Sequence, residues 1–331
     1  MAQERVLVTG GTGFTGSHLT RRLLERGYRV VVLDASPGRV YDELTRLGAE
    51  IHIGSVADRD LVRRLTEGCT VVHHLAAMFR QVNAPKAAYW AVNVEGTRNL
   101  LDAAIEHGVR RFVYCSTCGV HGNVERPPAD ETAPIHPEDY YQYTKWEGER
   151  VVERYRGRGM GIVTLRPAAI YGPGDPERFY HLFRMVQSGR FFMFGDGETT
   201  YHPLFIDNLV DAFELAQTRA HADGEVYLVA DDRWWTLNDL VKAIGRALGV
   251  KVRIRHLPFG PLWLAALACE TVYKPLPKEP PLFRRRVDWF RQNRAFSIAR
   301  ARRELGYEPR VPLDEGLART AAWYRRVGLL N

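Results

Sequence analysis

Long apolar runs are missing from this chain of 331 residues. The longest, Pro261 to Cys269, falls far short of the roughly 20 residues that a bilayer-crossing helix needs. The start, MAQERVLVTGG, has no cationic stretch followed by an apolar core and a small-residue cleavage site. No secretion signal is therefore expected, and the expected location is cytoplasmic. Cysteine is scarce as well: Cys69, Cys115, Cys118 and Cys269 are too few for a disulfide scaffold in a chain this long. Cys115 and Cys118 form a C-x-x-C, but no second pair completes a ligand set, although His121 follows closely, so no metal is expected. Internal repeats and low-complexity tracts are also absent. With 45% hydrophobic and 11% aromatic residues, the composition is that of a folded globular protein. The length suits one large α/β unit with a smaller attached region.

Acidic charge is in deficit mainly at one end. The net charge is +7, and residues 280–331 hold twelve arginines against five acids. Such a tail attracts nucleic acid, an anionic membrane surface or an anionic substrate, while the plainer reading is a solvated helical surface. No nucleic-acid-reading motif accompanies the charge, so no nucleic-acid partner is expected.

Short β-branched runs alternate with helical stretches through the first half. Arg5–Thr9, Arg29–Leu33, Glu50–Ile53, Thr70–Leu75, Arg111–Ser116 and Gly161–Arg166 read as strands. Helix-sized intervals separate them, among them Thr15–Gly27, Tyr89–His107 and Tyr140–Tyr155. This rhythm predicts an α/β fold: a doubly wound parallel sheet covered on both faces, with its carboxyl edge carrying the ligands. After Gly172-Pro173-Gly174 the rhythm changes. Phe179–Ser188 reads as helix, Phe191–Gly195 as a short extended piece and Pro203–Gln217 as strand into helix. Val226–Ala230 is a candidate further strand of the main sheet, and from Thr236 onward the chain reads as mainly helical. The expected organisation is a nucleotide-binding unit over residues 1–170, to which 203–231 returns. A smaller, mostly helical substrate region is expected over 171–202 and 232–331.

The first strand runs directly into Thr9-Gly10-Gly11-Thr12-Gly13-Phe14-Thr15-Gly16. Gly10 permits a tight turn, Gly13 lets backbone approach phosphate, and Gly16 lets the helix pack closely on the sheet, the Rossmann arrangement. A pyrophosphate then meets free N–H groups at the helix N-terminus. Asp34 ends the second strand, where a carboxylate accepts ribose hydroxyls and repels a 2′-phosphate. NAD is thus expected rather than NADP, although Arg39 lies near in sequence.

Tyr141-Gln142-Tyr143-Thr144-Lys145 places a phenol and an ammonium on one face of a predicted helix. A phenol with an ordinary pKa of about 10 is a poor base at neutral pH, and a neighbouring ammonium favours its phenolate. Upstream, Ser116 and Thr117 sit at the tip of the fifth strand, where a hydroxyl can hold a substrate oxygen while Tyr141 removes its proton. For Ser116, a strand-end hydroxyl satisfied within the protein is an equal reading.

Taken together, these pieces resemble the extended short-chain dehydrogenase/reductases, the NAD-dependent epimerase/dehydratase superfamily. The resemblance runs through TGGTGFTG, Asp34, HLAA (74–77), NVEGTRNLL (93–101), the hydroxyl loop, YQYTK and RPAAIYGPGD (166–175). It implies a Thr117/Tyr141/Lys145 triad, with Val120-His121-Gly122 fixing the register of Thr117. It also implies that Asn93 supports the site and that Gly10, Gly13, Phe14, Thr15, Gly16, Asp34, Leu75, Ala76, Ala77, Ser116, Pro167 and Ile170 line the cofactor. Where the family usually has an aspartate after the third strand for the adenine, this chain has Ser55 before Val56. A homodimer built on 89–107 and 140–155 is a further implication.

The substrate is less legible. Nucleotide-sugar epimerases and dehydratases usually carry an arginine after a GDG-like turn for the diphosphate; here Gly195-Asp196-Gly197 is followed by Tyr201 at that position. Arg178, Arg190 or Arg284–Arg286 are the compensating candidates, and Met78, Arg178 and Tyr201 are candidate substrate contacts. Phe205-Ile206-Asp207-Asn208-Leu209, the apolar 261–268 segment and 281–287 resemble instead the 3β-hydroxysteroid and sterol dehydrogenase branch. An apolar segment beside a basic run would rest on a membrane surface and admit a lipidic alcohol, or simply pack into the small domain. The narrow preference is for the apolar substrate, with a nucleotide sugar as the alternative. A non-catalytic NAD-sensing protein on the same fold is the third reading, opposed by the presence of both Tyr141 and Lys145.

Overall fold

A computed structural model describes residues 3–79, 84–175, 178–274 and 280–330, with Arg178 and Arg285 described by backbone only. Its frame is a seven-stranded parallel sheet. The strands are β1 (Arg5–Thr9), β2 (Arg29–Asp34), β3 (Glu50–Ile53), β4 (Val71–His74), β5 (Arg111–Cys115), β6 (Gly161–Pro167) and, after four shorter strands, β11 (Glu225–Val229). Their spatial order is β11-β6-β5-β4-β1-β2-β3. The four shorter strands are β7 (Ala169–Tyr171), β8 (Arg190–Phe194), β9 (Thr200–Tyr201) and β10 (Pro203–Phe205); β12 (Trp235–Thr236) and β13 (Arg253–Leu257) follow β11. They form three two-stranded pieces, β10 with β7, β12 with β9 and β13 with β8.

Alternation of β-branched and aliphatic residues explains why both faces of the sheet are covered. Val6, Val8, Val30 and Val32 point into one core with Leu19 and Leu23, while Leu7, Val31 and Leu33 point into the other with Val72, Leu100 and Phe112. The helices are α1 (Phe14–Glu25), α2 (Tyr41–Arg46), α3 (Arg59–Thr66), α4 (Lys86–Trp90), α5 (Gly96–Glu106) and α6 (Tyr140–Glu153). The second half adds α7 (Arg178–Gln187), α8 (Ile206–Thr218), α9 (Leu237–Leu248), α10 (Phe259–Tyr273), α11 (Arg284–Val287) and α12 (Leu313–Arg326). A further core, with Phe179, Phe183, Tyr201, Leu240, Ile244, Leu317 and Tyr324, binds α7, α9 and α12 together.

Two departures from the expected elements matter. The helix expected over 89–107 is broken by a π-turn at Ala91–Glu95, between α4 and α5. Such single wide turns insert a residue and re-aim a side chain, here Asn93. The region after Thr236 also contains β13, whose Arg253–Leu257 pairs residue by residue with Arg190–Phe194.

Because the chain leaves β3 and returns to the other side of β1 as β4, the strand order reverses between β1 and β4. That is where an open parallel sheet opens a crevice at its carboxyl edge.

Candidate active site

Thr9 ends β1 and Gly10 turns the chain at φ +72°, with its N–H donating to the Leu33 carbonyl at 2.8 Å. A Cβ at Gly10 would lie 2.9 Å from the Ala76 nitrogen, so the loops after β1 and β4 approach closer than any side chain allows. A Cβ at Gly16 would overlap the Gly10 carbonyl, so α1 begins hard against the turn. No side chain caps α1, and no acid occupies its first turn, which leaves the N–H groups around Phe14 and Thr15 suited to an anion. Asp34 accepts the Thr12 N–H through Oδ2 at 3.0 Å, while the Thr12 hydroxyl donates to the Ser36 carbonyl at 2.9 Å. The carboxylate is thereby held at the end of β2 with Oδ1 left for a sugar hydroxyl. A glycine cradle, an uncapped helix and an oriented carboxylate fit a dinucleotide.

Thr117 follows β5 in extended conformation. Its Oγ1 accepts from the Gly119 N–H at 3.0 Å, which leaves the O–H proton for another acceptor. Asp139 caps α6 by accepting the Gln142 N–H at 2.8 Å, so Tyr141 and Lys145 fall on its first two turns. Lys145 is buried, with Nζ 4.2 Å from the centre of the Tyr114 ring. Burial pushes its ammonium down to about 8, while Cys115 and Glu149 act in the opposite direction. The Tyr141 ring is half-exposed and stands 4.7 Å, edge to face, from Phe79. Phe79 is 39% exposed and comes from the loop after β4.

Asn93, fully buried in the π-turn, ties the two halves of this site together. Its Oδ1 accepts the Met78 N–H at 2.8 Å, and its Nδ2 donates to the Met78 carbonyl at 3.1 Å and to Thr144 Oγ1 at 2.9 Å. Thr144 in turn donates to the Tyr141 carbonyl at 3.0 Å. Behind Asn93 runs a line of buried donors with one consistent direction. Thr97 Oγ1 donates to the Asn93 carbonyl at 2.8 Å and so receives the proton of His74 Nε2 at 2.9 Å. His74 Nδ1 is then an acceptor for the Thr9 hydroxyl at 2.8 Å, and Thr9 Oγ1 accepts the Ala76 N–H at 3.2 Å. Burial holds His74 well below the usual imidazole range, with Lys145 acting in the same direction, so the ring is neutral.

A second buried cluster lies one turn beyond Lys145. Glu149 and Arg166 form a two-pronged ion pair, Nη2 to Oε2 at 2.6 Å and Nε to Oε1 at 3.0 Å. The Ser116 hydroxyl donates to Glu149 Oε1. Arg166 Nη1 donates to His121 Nε2 at 3.1 Å, and His121 Nδ1 donates to the Pro134 carbonyl at 3.2 Å. Burial lowers the His121 pKa, and Arg166 acts in the same direction. The Ser116 hydroxyl thus faces inward, onto an anion. The Tyr141–Lys145–Glu149 spacing of four residues was a signal for Glu149 that sequence reasoning passed over.

Other candidates fall around this centre. Leu75, Ala76 and Ala77 form the half-buried loop after β4, and Pro167 and Ile170 lie at the β6–β7 junction. Val56 is buried among core side chains; Ser55 is exposed, its Oγ accepting the Ala57 N–H at 3.1 Å. Arg178 opens α7, its side chain outside the described residues. Tyr201 packs into the core shared by α7, α9 and α12, 5.9 Å from Trp289 and 6.3 Å from Phe179 by ring centres. No disulfide joins the four cysteines, and burial pushes the Cys115 thiol up to about 11, which keeps it protonated and a poor ligand or nucleophile.

Residues 6–230 match the NAD dependent epimerase/dehydratase family. The chain is 33% identical to a 3β-hydroxysteroid-dehydrogenase/decarboxylase (isoform 1) of Arabidopsis thaliana, over 95% of this chain and 78% of that protein. It is 32% identical to a 2-alkyl-3-oxoalkanoate reductase of Stenotrophomonas maltophilia, over 96% and 98% of the two chains. Among solved structures, UDP-glucose 4-epimerase of Thermotoga maritima, with UDP-glucose, superposes with a TM-score of 0.78 at 29% identity, covering 98% of this chain and 99% of that one.

Proposed function

This chain belongs to the NAD-dependent epimerase/dehydratase family, and we propose that within it the enzyme oxidises a secondary alcohol on an apolar, sterol-like molecule. The observation that carries the substrate class is Phe79 against Tyr141. An aromatic ring beside the reacting phenol excludes water and offers an apolar wall to a ring system. Tyr201, where a diphosphate-binding arginine would be expected, is packed among aromatics and only 4% exposed, so that position offers no cation. The Arabidopsis relative is named for a hydroxysteroid and the Stenotrophomonas relative for an alkyl-substituted oxoalkanoate, substrates with large hydrocarbon parts, which supports the same reading.

In this reading Thr117 donates its free O–H to the substrate oxygen and Tyr141 removes the carbinol proton. Lys145 holds the phenol toward its ionised form by its positive charge. The glycine cradle and Asp34 would hold NAD, which when bound would supply the acceptor for the hydride that leaves carbon. Asn93 fixes the distance between the Met78 loop and α6, so the substrate wall and the base move together. The nucleotide-sugar alternative draws on the likeness to the UDP-glucose-bound structure. Reduced cofactor, followed by absorbance, is expected with a 3β-hydroxysteroid and NAD and not with UDP-sugars. UDP-sugar turnover without steroid turnover overturns the substrate class. A homodimer formed through α4, α5 and α6 belongs to the same proposal, and a monomeric mass at assay concentration contradicts it. On that face Tyr140 stands between Tyr89 and Tyr143, each 5.9 Å away by ring centres, and Tyr143 is 41% exposed.

A further inference from the structure

Helix α10 is apolar on its outer side as well as its inner one. A surface helix normally turns its polar residues to water, yet of the exposed residues here, Gly260, Pro261, Leu264, Ala265, Ala268, Thr271 and Val272, only Thr271 is polar, and Pro261, Leu264, Ala265, Ala268 and Val272 recur at helical spacing on one side. Leu264 is 61% and Val272 65% exposed, and Ala266 is the one residue of the helix that is fully buried. The helix carries one charged side chain, Glu270, and that carboxylate is held by Arg284, whose Nε donates to Oε2 at 2.8 Å and whose backbone N–H donates to Oε1 at 2.7 Å. The outward stripe is therefore uncharged along its length.

Cations surround it. Residues 251–291 hold nine basic and three acidic side chains, so this stretch supplies +6 of the chain's +7. Arg253 and Arg255 are exposed on β13, immediately before the helix, and Arg284, Arg286 and Arg291 are exposed after it. Two of the three acids are among the described residues, and both are paired, Glu270 with Arg284 and Asp288 with Arg291. Exposed apolar surface continues from the helix onto the β8–β13 piece through Leu257 and Phe192.

We propose that α10 and its arginine rim form a docking surface for an anionic lipid bilayer. Apolar side chains enter the acyl boundary while guanidinium groups meet the headgroups. A helix of 15 residues is about 22 Å long, too short for a hydrocarbon core of roughly 30 Å, so it lies in the interface rather than crossing it. No helix among the described residues is long and apolar enough to cross a membrane. A second copy of the chain would set like charge against like charge, and a nucleic acid would leave the uncharged stripe unused. The surface also reaches toward the site. The Arg291 guanidinium stands 5.4 Å from the Phe259 ring, Trp289 packs on Tyr201, and Arg294 interacts electrostatically with Glu138, just ahead of α6. An enzyme seated this way takes its substrate from the lipid side.

The test is co-sedimentation of the full chain with phosphatidylcholine vesicles, with and without phosphatidylglycerol, and it needs no substrate. Binding is expected to be at least about tenfold stronger with phosphatidylglycerol and to fall at high salt. The double variant Leu264→Glu/Val272→Glu is expected to lose about tenfold or more in vesicle affinity with an unchanged circular dichroism spectrum and thermal midpoint. Absent binding to either vesicle, or equal binding by the variant, overturns the proposal. So does a variant whose change is in oligomeric mass instead, since that assigns the stripe to a second copy.

Discussion

Around the cofactor crevice, Thr9, His74, Thr97, Asn93 and Thr144 pass hydrogen bonds along one line from the loop after β4 to the helix that carries Tyr141. Around α10 the order is reversed, with aliphatic side chains outside and arginines at the edge. In the first region each polar group exists for its partner, so removing one strands the next in a medium without water. In the second, the side chains meet solvent, and fold stability depends on them little. The difference separates what the fold needs from what an encounter needs.

Breaking the first region should cost most at its buried ion pair. Glu149→Ala leaves Arg166, 6% exposed, without its counter-charge, and a loss of about 3–5 kcal/mol is expected in urea unfolding. A loss below about 1 kcal/mol would mean that His121 and water already satisfy the guanidinium. Asn93→Ala strands the Met78 N–H and carbonyl and frees Thr144. About 2–3 kcal/mol of stability and a clear fall in turnover are expected together, because the same bonds hold the base. Stability loss with unaltered kcat would separate the two roles.

Lys145 sharpens the comparison through pH. Burial lowers its pKa from 10.5 to about 8. Below about 8 the ammonium is present in native and unfolded chains alike, and the full penalty of burying it applies. Between 8 and 10.5 the unfolded chain holds the proton more tightly, so this group makes stability rise with pH; above 10.5 the penalty is gone. Cofactor-free Lys145→Met should therefore gain most over the parent near neutrality, and the gain should vanish toward pH 10.5. A constant difference across that range contradicts the burial argument. The smallest effect belongs to α10. Leu264→Glu/Val272→Glu should change unfolding stability by no more than about 0.5 kcal/mol, and a larger loss would place those side chains in a packed interface.

Much of the frame was legible because it rests on periodicity and punctuation. β1 and β3 lie at the expected residues, and β11 joins the main sheet beside β6 as the 226–230 run suggested. Glycine at 10 and 16 marked the crevice because only a missing Cβ permits that approach. What escaped depends on contacts between residues distant in sequence. Arg166 and Glu149 meet across 17 positions and His74 and Thr9 across 65, and no local pattern declares either pair. The π-turn escaped because 89–107 has an ordinary helical pattern; its wide turn is fixed by what Asn93 must reach. β13 was missed because Arg-Ile-Arg-His-Leu carries an exposed charged face, which hides a strand's alternation.

The most direct measurement replaces Tyr141 with Phe and follows NAD affinity and turnover of an accepted alcohol in the same preparation. The account predicts NAD binding within about threefold of the parent and turnover lower by about 10²–10⁴, the usual contribution of a positioned acid–base group. Undiminished turnover in the Phe variant would contradict it.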